Sequence, residues 1–105
     1  GEQELGIERL IKEAYKLLGL ITFYTIKGGK EVHAWSIKEG STAIDAAAEV
    51  HTDFAKGFIK AEVIKVDELL SLGVWKEAKE KGMVRLEGRD YLVQNEDVIE
   101  FKIGS

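Results

Sequence analysis

Two runs of β-branched and aromatic residues flank a pair of glycines in the first third of the chain. The runs extend from Leu20 to Lys27 and from Glu31 to Lys38, and Gly28-Gly29 separates them. Such residues are enriched in strands, and a glycine pair supplies the positive φ angles of a tight turn. The pattern predicts a β-hairpin. An isolated hairpin is marginally stable, so the rest of the chain has to supply further strands and a covering helix.

Regular spacing of apolar residues predicts one helix before the hairpin and another after it. From Gly6 to Leu18 the apolar side chains follow helical spacing, and Gly19 is suited to end that helix. After the hairpin, Gly40-Ser41-Thr42 stops the strand and offers hydroxyl groups that can cap the second helix. That helix carries a narrow stripe of small residues, which suits close packing on a sheet: Ala43, Ala46, Ala47 and Val50.

The second half of the chain predicts a third strand and two short helices. The strand is expected near Phe58 to Val66. Its alternation places Ile59, Ala61 and Val63 on one face and Lys60 and Glu62 on the other. Asp67 is expected to cap a short helix that ends at Gly73, and a further short helix is expected to end near Gly82.

The last residues return to a strand pattern. We expect a tight hairpin from Val84 to Val93 and then a polar turn from Gln94 to Asp97. The final strand carries three alternating apolar residues: Ile99, Phe101 and Ile103. The order of elements favours an α+β fold of the ubiquitin-like β-grasp type, in which a helix lies across a sheet that begins with a hairpin.

Composition excludes several classes of function. The 105 residues include no cysteine, which excludes a disulfide framework and a thiolate zinc site, and the two histidines have no HxxH or similar spacing, so no metal site is expected. The net charge is −4, and most of the excess acid lies after residue 65. That balance argues against nonspecific binding of nucleic acid by the whole surface. No apolar stretch approaches the length of a membrane span, so a cytoplasmic protein is expected.

Several blocks of the sequence, in the same order, resemble the TGS domain of the YchF type of Obg-like ATPase. The longest is the motif VHTDFAKGFIKAEV. The blocks are Leu17 to Thr25, Lys30 to Trp35, Val50 to Val63, and Leu86 to Tyr91 with the later Asp97-Val98. The resemblance covers almost the whole chain. It implies a lead-in helix from the parent protein over residues 1–19 and a β-grasp TGS domain over residues 20–103. Gly104-Ser105 is expected to be a remnant of cloning.

Two positions depart from the pattern of that family. Ile44 stands where the family has proline, and Asn95-Glu96 stands where it has Asp-Gly. Asparagine tolerates the left-handed conformation better than most residues, so we expect the turn before the last strand to be kept.

The resemblance also implies that the chain is the C-terminal domain of a longer protein. Such a parent binds ATP and GTP, hydrolyses ATP and associates with the ribosome, so ATP and magnesium are its expected cofactors. The chain itself has no GxxxxGK[ST] loop that could hold phosphates. For this domain alone we therefore expect no enzymatic activity, no cofactor and no small-molecule substrate.

Two groups of residues that contain histidine are candidates for contact with a partner. His51-Thr52-Asp53 could make polar contacts with RNA or with the ATPase domain, although such residues commonly cap turns through local hydrogen bonds. His33 and Trp35 share one face of a strand and could stack on a base or a partner surface. The alternative is that Trp35 is half-buried against a lead helix or a loop.

Two functions remain open. In the first, the domain is an RNA- or ribosome-binding adaptor, with Lys38, Lys56 and Lys60 on phosphates and His33 or Trp35 stacking on a base. In the second, it is a regulatory or protein-interaction module that docks on its own ATPase domain or on a protein partner, through the apolar face of the helix over residues 7–18 and the exposed sheet. The net negative charge suits the second better, and each lysine could equally be an ordinary solvated one. No membrane partner is expected. A free-standing ubiquitin-like modifier is set aside, because the chain ends Ile103-Gly104-Ser105 and not in Gly-Gly.

Overall fold

The computed structural model describes residues 2–104, and it describes side chains from Gly6 onward. In chain order the elements are helix α1 (Glu2–Leu18), strands β1 (Leu20–Lys27) and β2 (Glu31–Lys38), helices α2 (Ala43–Val50) and α3 (Thr52–Lys56), strand β3 (Phe58–Lys65), helices α4 (Val66–Leu72) and α5 (Trp75–Glu80), and strands β4 (Arg85–Glu87) and β5 (Asp97–Ile103). Gly1 and Ser105, which the sequence assigns to the lead-in helix and to a cloning remnant, lie outside the described residues.

The predicted hairpin is confirmed. β1 and β2 pair antiparallel along their full length, and Gly28 and Gly29 turn the chain with φ angles of 61° and 70°. Among the described residues the strands of the sheet follow the order β2-β1-β5-β3-β4. β1 and β5 pair in parallel, whereas β3 pairs antiparallel with both β5 and β4. The chain therefore has a mixed α+β fold around a five-stranded sheet.

One face of the sheet, which we call the first face, packs against α2. Thr42 caps this helix, since its Oγ1 accepts from Asp45 N and the Asp45 carboxylate accepts from Thr42 N. Ala43 and Ala46 are completely buried, so the predicted small-residue stripe does lie against the sheet. The larger buried residues of this core are Ile21, Phe23, Ile37, Val63, Val93 and Ile99.

The opposite face, the second face, packs against α4 and α5. Gly73 is the C-cap of α4, and α5 ends shortly before Gly82, in agreement with the prediction from the sequence. The buried core on this side combines residues of α5 and three strands, and partly buried residues of α4 pack against it: Ile26, Ile64, Trp75, Ala78 and Val98 form the core. Helices therefore cover both faces of the central strands.

Helix α1 packs on the rest of the domain only near its end. Gly19 ends the helix with a φ of 68°, as predicted. Tyr15 OH lies 2.9 Å from Ser36 Oγ on β2. The apolar residues of the helix nevertheless remain exposed to solvent: Ile7, Leu10, Ile11, Leu17 and Leu18.

The predicted hairpin from Val84 to Val93 is wrong. Within that stretch Arg85–Glu87 forms a strand, but it pairs with β3 and not with the residues that follow it. Those residues instead return to the start of α2, where Tyr91 O accepts from Ala43 N at 2.8 Å. The first amides of a helix lack partners within the helix. The segment after β4 supplies such a partner, and local pairing into a hairpin would not.

The side chains of strand β3 also differ from the expected alternation of buried and exposed residues. The pairing with β5 is irregular between Phe58 and Lys60, and Ile59 is left 62% exposed. Glu62, which alternation places among solvated residues, is buried. The cause is α5, which covers the second face, so that both rows of side chains on β3 meet other elements.

The beginning of α4 differs from the prediction as well. Val66 is already helical, so the N-cap position belongs to Lys65 and not to Asp67. The strand runs directly into the helix, and Val66 N donates to Glu96 O at 3.0 Å. Asp67 therefore lies in the first turn of the helix.

The turn before β5 is kept, but the left-handed residue is not the expected one. The positive φ, 67°, belongs to Glu96. Asn95 instead accepts a hydrogen bond from Thr22 N through Oδ1 at 3.0 Å. Glu96 N donates to Thr22 O at 2.7 Å. These bonds to β1 offset the strain of a non-glycine residue in this conformation.

Candidate functional site

An open groove lies on the first face, between the hairpin and the ends of α2 and α3. We call it the aromatic groove; its volume is about 310 Å³. α2 ends at Val50, so it does not cover the end of the sheet nearest the β1–β2 turn. The predicted pair His33 and Trp35 lies here, on the face that α2 covers and not on an open face. The side chains that shape the groove are Thr25, His33, Trp35, Val50, Phe54 and Phe101.

Trp35 and His33 contribute the β2 side of the groove. Trp35 is half-buried against the first-face core, and its Nε1 donates to Thr25 Oγ1 at 3.0 Å. This bond satisfies the indole N–H and leaves the ring as an apolar surface. His33 is more exposed, with 62% of its side chain accessible, and its Nε2 lies 3.5 Å from Glu31 Oε1. The alternative in which Trp35 is half-buried therefore describes it better, although it packs on the sheet core and not on α1.

Phe54 contributes the opposite side of the groove, and the His51-Thr52-Asp53 motif positions it. His51 Nδ1 accepts from Asp53 N at 3.0 Å, so the imidazole caps α3. The His51 ring lies 5.8 Å from the Phe54 ring, which lies 6.4 Å from the Phe101 ring. The capping role thus belongs to His51 itself. The motif itself does not line the groove, but it positions Phe54, the residue that follows it, which does.

The three predicted lysines do not form one cluster. Lys38 lies at one end of the sheet, opposite Leu20. Lys60 lies at the other end, opposite Lys102 on the second face. Lys56 ends α3 near that same end. Lys56 and Lys60 therefore share an end of the sheet with the aromatic groove, and Lys38 does not.

Two lysines that sequence reasoning missed lie beside Glu62, on the same face of the sheet as Lys60. Lys79 Nζ, from α5, lies 3.1 Å from Glu62 Oε1, and Lys102 Nζ lies 3.7 Å from the same atom. Lys102 Nζ is also 3.1 Å from Glu100 Oε1. The hydrogen bond with Glu100 raises the pKa of Lys102 against the opposing effect of burial. Only the β3–β5 register and the position of α5 reveal this cluster, because its members are distant in sequence.

A second buried carboxylate, Asp97, has a different environment. Its Oδ2 accepts from Tyr91 OH at 2.6 Å and from Gln94 N at 2.9 Å, and Lys65 Nζ lies 3.5 Å from Oδ1. Arg85 Nη2 donates to Tyr91 OH at 3.1 Å. Burial raises the pKa of Tyr91 far above its ordinary value, and the bond to Asp97 raises it further. This network ties the segment after β4 to the start of β5.

Metal-ligand clusters and membrane-spanning helices are absent from residues 2–104. In that range no group of three potential ligand side chains is placed to hold a metal ion. Nor does any helix in that range have the length and apolar character needed to cross a bilayer. The fold and the groove together define a small α+β domain with aromatic side chains exposed at one end of its sheet and lysines close by.

Comparison with known proteins gives the family of this domain. Residues 20–104 match the model of the YchF GTPase C-terminal domain, described as a protein of unknown function (DUF933). The chain is 49% identical over 102 residues to the ribosome-binding ATPase YchF of Bacillus subtilis (strain 168), covering 97% of this chain and 28% of that protein. It is 50% identical over 102 residues to the ribosome-binding ATPase YchF of Haemophilus ducreyi (strain 35000HP / ATCC 700724), again covering 97% of this chain and 28% of that protein.

Solved structures agree with these matches. The Schizosaccharomyces pombe YchF GTPase superposes with a TM-score of 0.79 at 29% identity, covering 90% of this chain and 25% of that one. A GTP-binding protein from Pyrococcus horikoshii OT3 superposes with a TM-score of 0.59 at 31% identity, covering 86% of this chain and 22% of that one. The chain belongs to the YchF C-terminal domain family. It spans little more than a quarter of the length of the curated relatives.

Proposed function

We propose that this domain is the ribosome-facing TGS adaptor, of the β-grasp type, of a cytoplasmic YchF-type ATPase. The relatives carry the name ribosome-binding ATPase, and this chain corresponds to about 28% of their length. Binding of ATP and GTP, ATP hydrolysis and the need for magnesium then belong to the other parts of the parent. The hairpin, the helix across the first face and the returning strands support the β-grasp assignment.

The observation that carries this proposal is the meeting of His33, Trp35 and Phe54 in the aromatic groove. Unpaired bases of RNA stack on aromatic side chains, and each stack contributes roughly 1–3 kcal/mol. His33 adds a polar edge, because its imidazole is accessible beside the indole. Lys56 and Lys60 lie at the same end of the sheet, and their positive charges support contacts with phosphates. Lys38 has no part in this site.

Sedimentation with Bacillus subtilis ribosomes tests the proposal. His33→Ala and Phe54→Ala should each weaken binding about tenfold, the effect of losing one stacking interaction. Val32→Ala is the matched control, because Val32 is exposed beside His33 but points to the second face. Its binding should be unchanged. Equal ribosome binding by all three variants would refute a role for the groove.

A second function is favoured by a specific observation on α1. Leu17 is 87% exposed and Leu10 is 71% exposed on a helix that leads into the domain. Clustered apolar exposure of this kind marks a surface that another molecule covers. In this alternative the helix docks on the parent's own ATPase domain and transmits its nucleotide state. Leu10→Glu should then abolish binding to a separately produced ATPase domain and leave ribosome binding unaffected.

A further inference from the structure

The lysine cluster on the second face has an order of charges that the stability of the sheet does not explain. Across the β3–β5 pair, Lys60 lies opposite Lys102 and Glu62 lies opposite Glu100. Like charges directly opposite each other destabilise an antiparallel pair. Exchanging the lysine and the glutamate on one strand would place opposite charges together in both pairs. Some other property of the cluster has to account for this order.

That property is the depth at which each charged side chain is buried. The side chains of Glu62 and Glu100 are 7% and 17% exposed, whereas those of Lys79 and Lys102 are 41% and 38% exposed. The carboxylates therefore lie beneath, and the ammonium groups lie above them. Because Glu62 is near two ammonium groups at once, it fixes the ends of two flexible side chains that come from different elements. Each ammonium group has three N–H donors, so donors remain for a ligand.

The cluster also has a net positive charge. Lys60, Lys79 and Lys102 outnumber the two carboxylates by one. Among the described residues, no carboxylate oxygen lies within 4.0 Å of Lys60 Nζ. An open cavity adjoins the cluster, and Lys30, Lys76 and Glu80 line it together with Lys79. These residues add one further positive charge, so the second face is positive here although the whole chain is negative.

We propose that Lys60, Lys79 and Lys102 form a binding site for the phosphodiester groups of an RNA strand. This inference rests on the proposed function and extends it to the second face. The cluster and the aromatic groove share one end of the sheet, so a strand with a base in the groove can continue around that end and place its phosphates on the lysines. Ammonium groups already held by buried carboxylates lose less conformational entropy when they bind.

Charge reversal with a matched control tests this site. The probe is a short single-stranded oligouridylate, and its binding to the chain is followed by fluorescence anisotropy over a range of potassium chloride concentrations. Lys60→Glu should weaken binding about tenfold and reduce the salt slope by roughly 0.7 for each phosphate that is no longer neutralised. Lys60→Arg should keep the affinity. Lys38→Glu makes the same change in net charge at the opposite end of the sheet and should change the affinity less than about twofold.

Each other outcome contradicts the proposal. Equal losses for Lys60→Glu and Lys38→Glu would show a nonspecific effect of net charge. Binding of inorganic pyrophosphate that depends on Lys60, without binding of oligouridylate, would show an anion site unrelated to RNA. If Lys60→Glu binds RNA normally while Phe54→Ala binds ribosomes weakly, the lysine site fails and ribosome binding through the aromatic groove stands. If the unchanged chain binds neither oligouridylate nor ribosomes, both proposals fail.

Discussion

The two buried carboxylates of this domain, Asp97 and Glu62, have contrasting partners. Asp97 is completely buried and accepts hydrogen bonds from a tyrosine hydroxyl and a backbone N–H, both of which belong to the segment it fixes. Glu62 is 5% exposed, and its neighbours within ion-pair distance are two lysines whose ammonium groups reach solvent. Asp97 therefore stabilises the fold, whereas Glu62 holds surface charge in place.

The contrast teaches that burial alone does not indicate what a charged group does. In each residue one carboxylate oxygen is buried without a hydrogen bond: Asp97 Oδ1 and Glu62 Oε1. Both atoms have an ammonium group nearby, so each is compensated by an ion pair. The difference lies in the other oxygen of Asp97, which accepts two well-formed hydrogen bonds. Removing a carboxylate should cost stability according to those bonds.

Asp97→Ala should have the largest effect on stability. The change leaves Tyr91 OH and Gln94 N without their acceptor inside the protein, and it removes the carboxylate paired with Lys65. Each hydrogen bond to a charged group contributes about 1.5–3 kcal/mol, and the change removes two of them. We expect a loss of about 3 kcal/mol in the free energy of unfolding, measured by urea denaturation. A loss below about 1 kcal/mol would make Asp97 equivalent to an exposed charge.

Tyr91→Phe should have an intermediate effect. Phenylalanine keeps the packing of the ring on the first-face core but deletes the hydroxyl between Asp97 and Arg85. A hydrogen bond to a charged group contributes about 1.5–3 kcal/mol. A loss of about 1.5 kcal/mol by the same measurement is expected. If the variant were as stable as the unchanged chain, the Tyr91–Asp97 bond would have no structural role.

Glu62→Gln should have the smallest effect on stability. Its lysine partners are more than one-third exposed and can be hydrated once the charge is gone, so the pairs resemble surface ion pairs. We expect a loss below about 1 kcal/mol. In NMR spectra, the side-chain resonances of Lys79 should shift toward those of a mobile lysine. A loss as large as that of Asp97→Ala would abolish the distinction between the two sites.

The stability of the protein at alkaline pH should reveal the contribution of the Tyr91–Asp97 network. The pKa of Tyr91 is raised by burial and by Asp97, so the folded state favours the neutral phenol. Its contribution is complete below the ordinary tyrosine pKa of about 10 and is lost as pH rises toward the raised value in the folded state. The raised pKa of Lys102 acts in the same direction. Tyr91→Phe should make the decline of stability above a pH of about 10 shallower, and an unchanged decline would exclude Tyr91 as its source.

Sequence reasoning predicted the elements that local pattern determines. The hairpin and α2 follow from residues that are neighbours in sequence, namely Gly28-Gly29 and the capping group at Thr42. The errors concern residues whose environment depends on distant elements. Tyr91 pairs with α2 and not with β4, and Glu62 is buried by a helix that comes later in the chain.

Prediction of the candidate site from the sequence has the same limit, because contacts between distant elements are not visible in local patterns. His33 and Trp35 are predicted because alternation places them on one face, whereas Phe54 is not among the predicted site residues although it directly follows His51-Thr52-Asp53. Lys79 and Lys102 could not be found, because no spacing rule connects α5 with β5. Their relation to Lys60 exists only through the sheet register and Glu62.

The central claim is that the end of the sheet that carries the aromatic groove and the lysine cluster faces the ribosome. The most direct measurement is an NMR titration of the labelled chain with ribosomal RNA fragments and, separately, with the ATPase domain of the parent. The claim predicts salt-sensitive shifts at His33, Phe54, Lys60 and Lys102 with RNA, and none at Lys38. Shifts confined to Leu10 and Leu17 on α1, seen with the ATPase domain alone, would contradict it and identify a regulatory docking module instead.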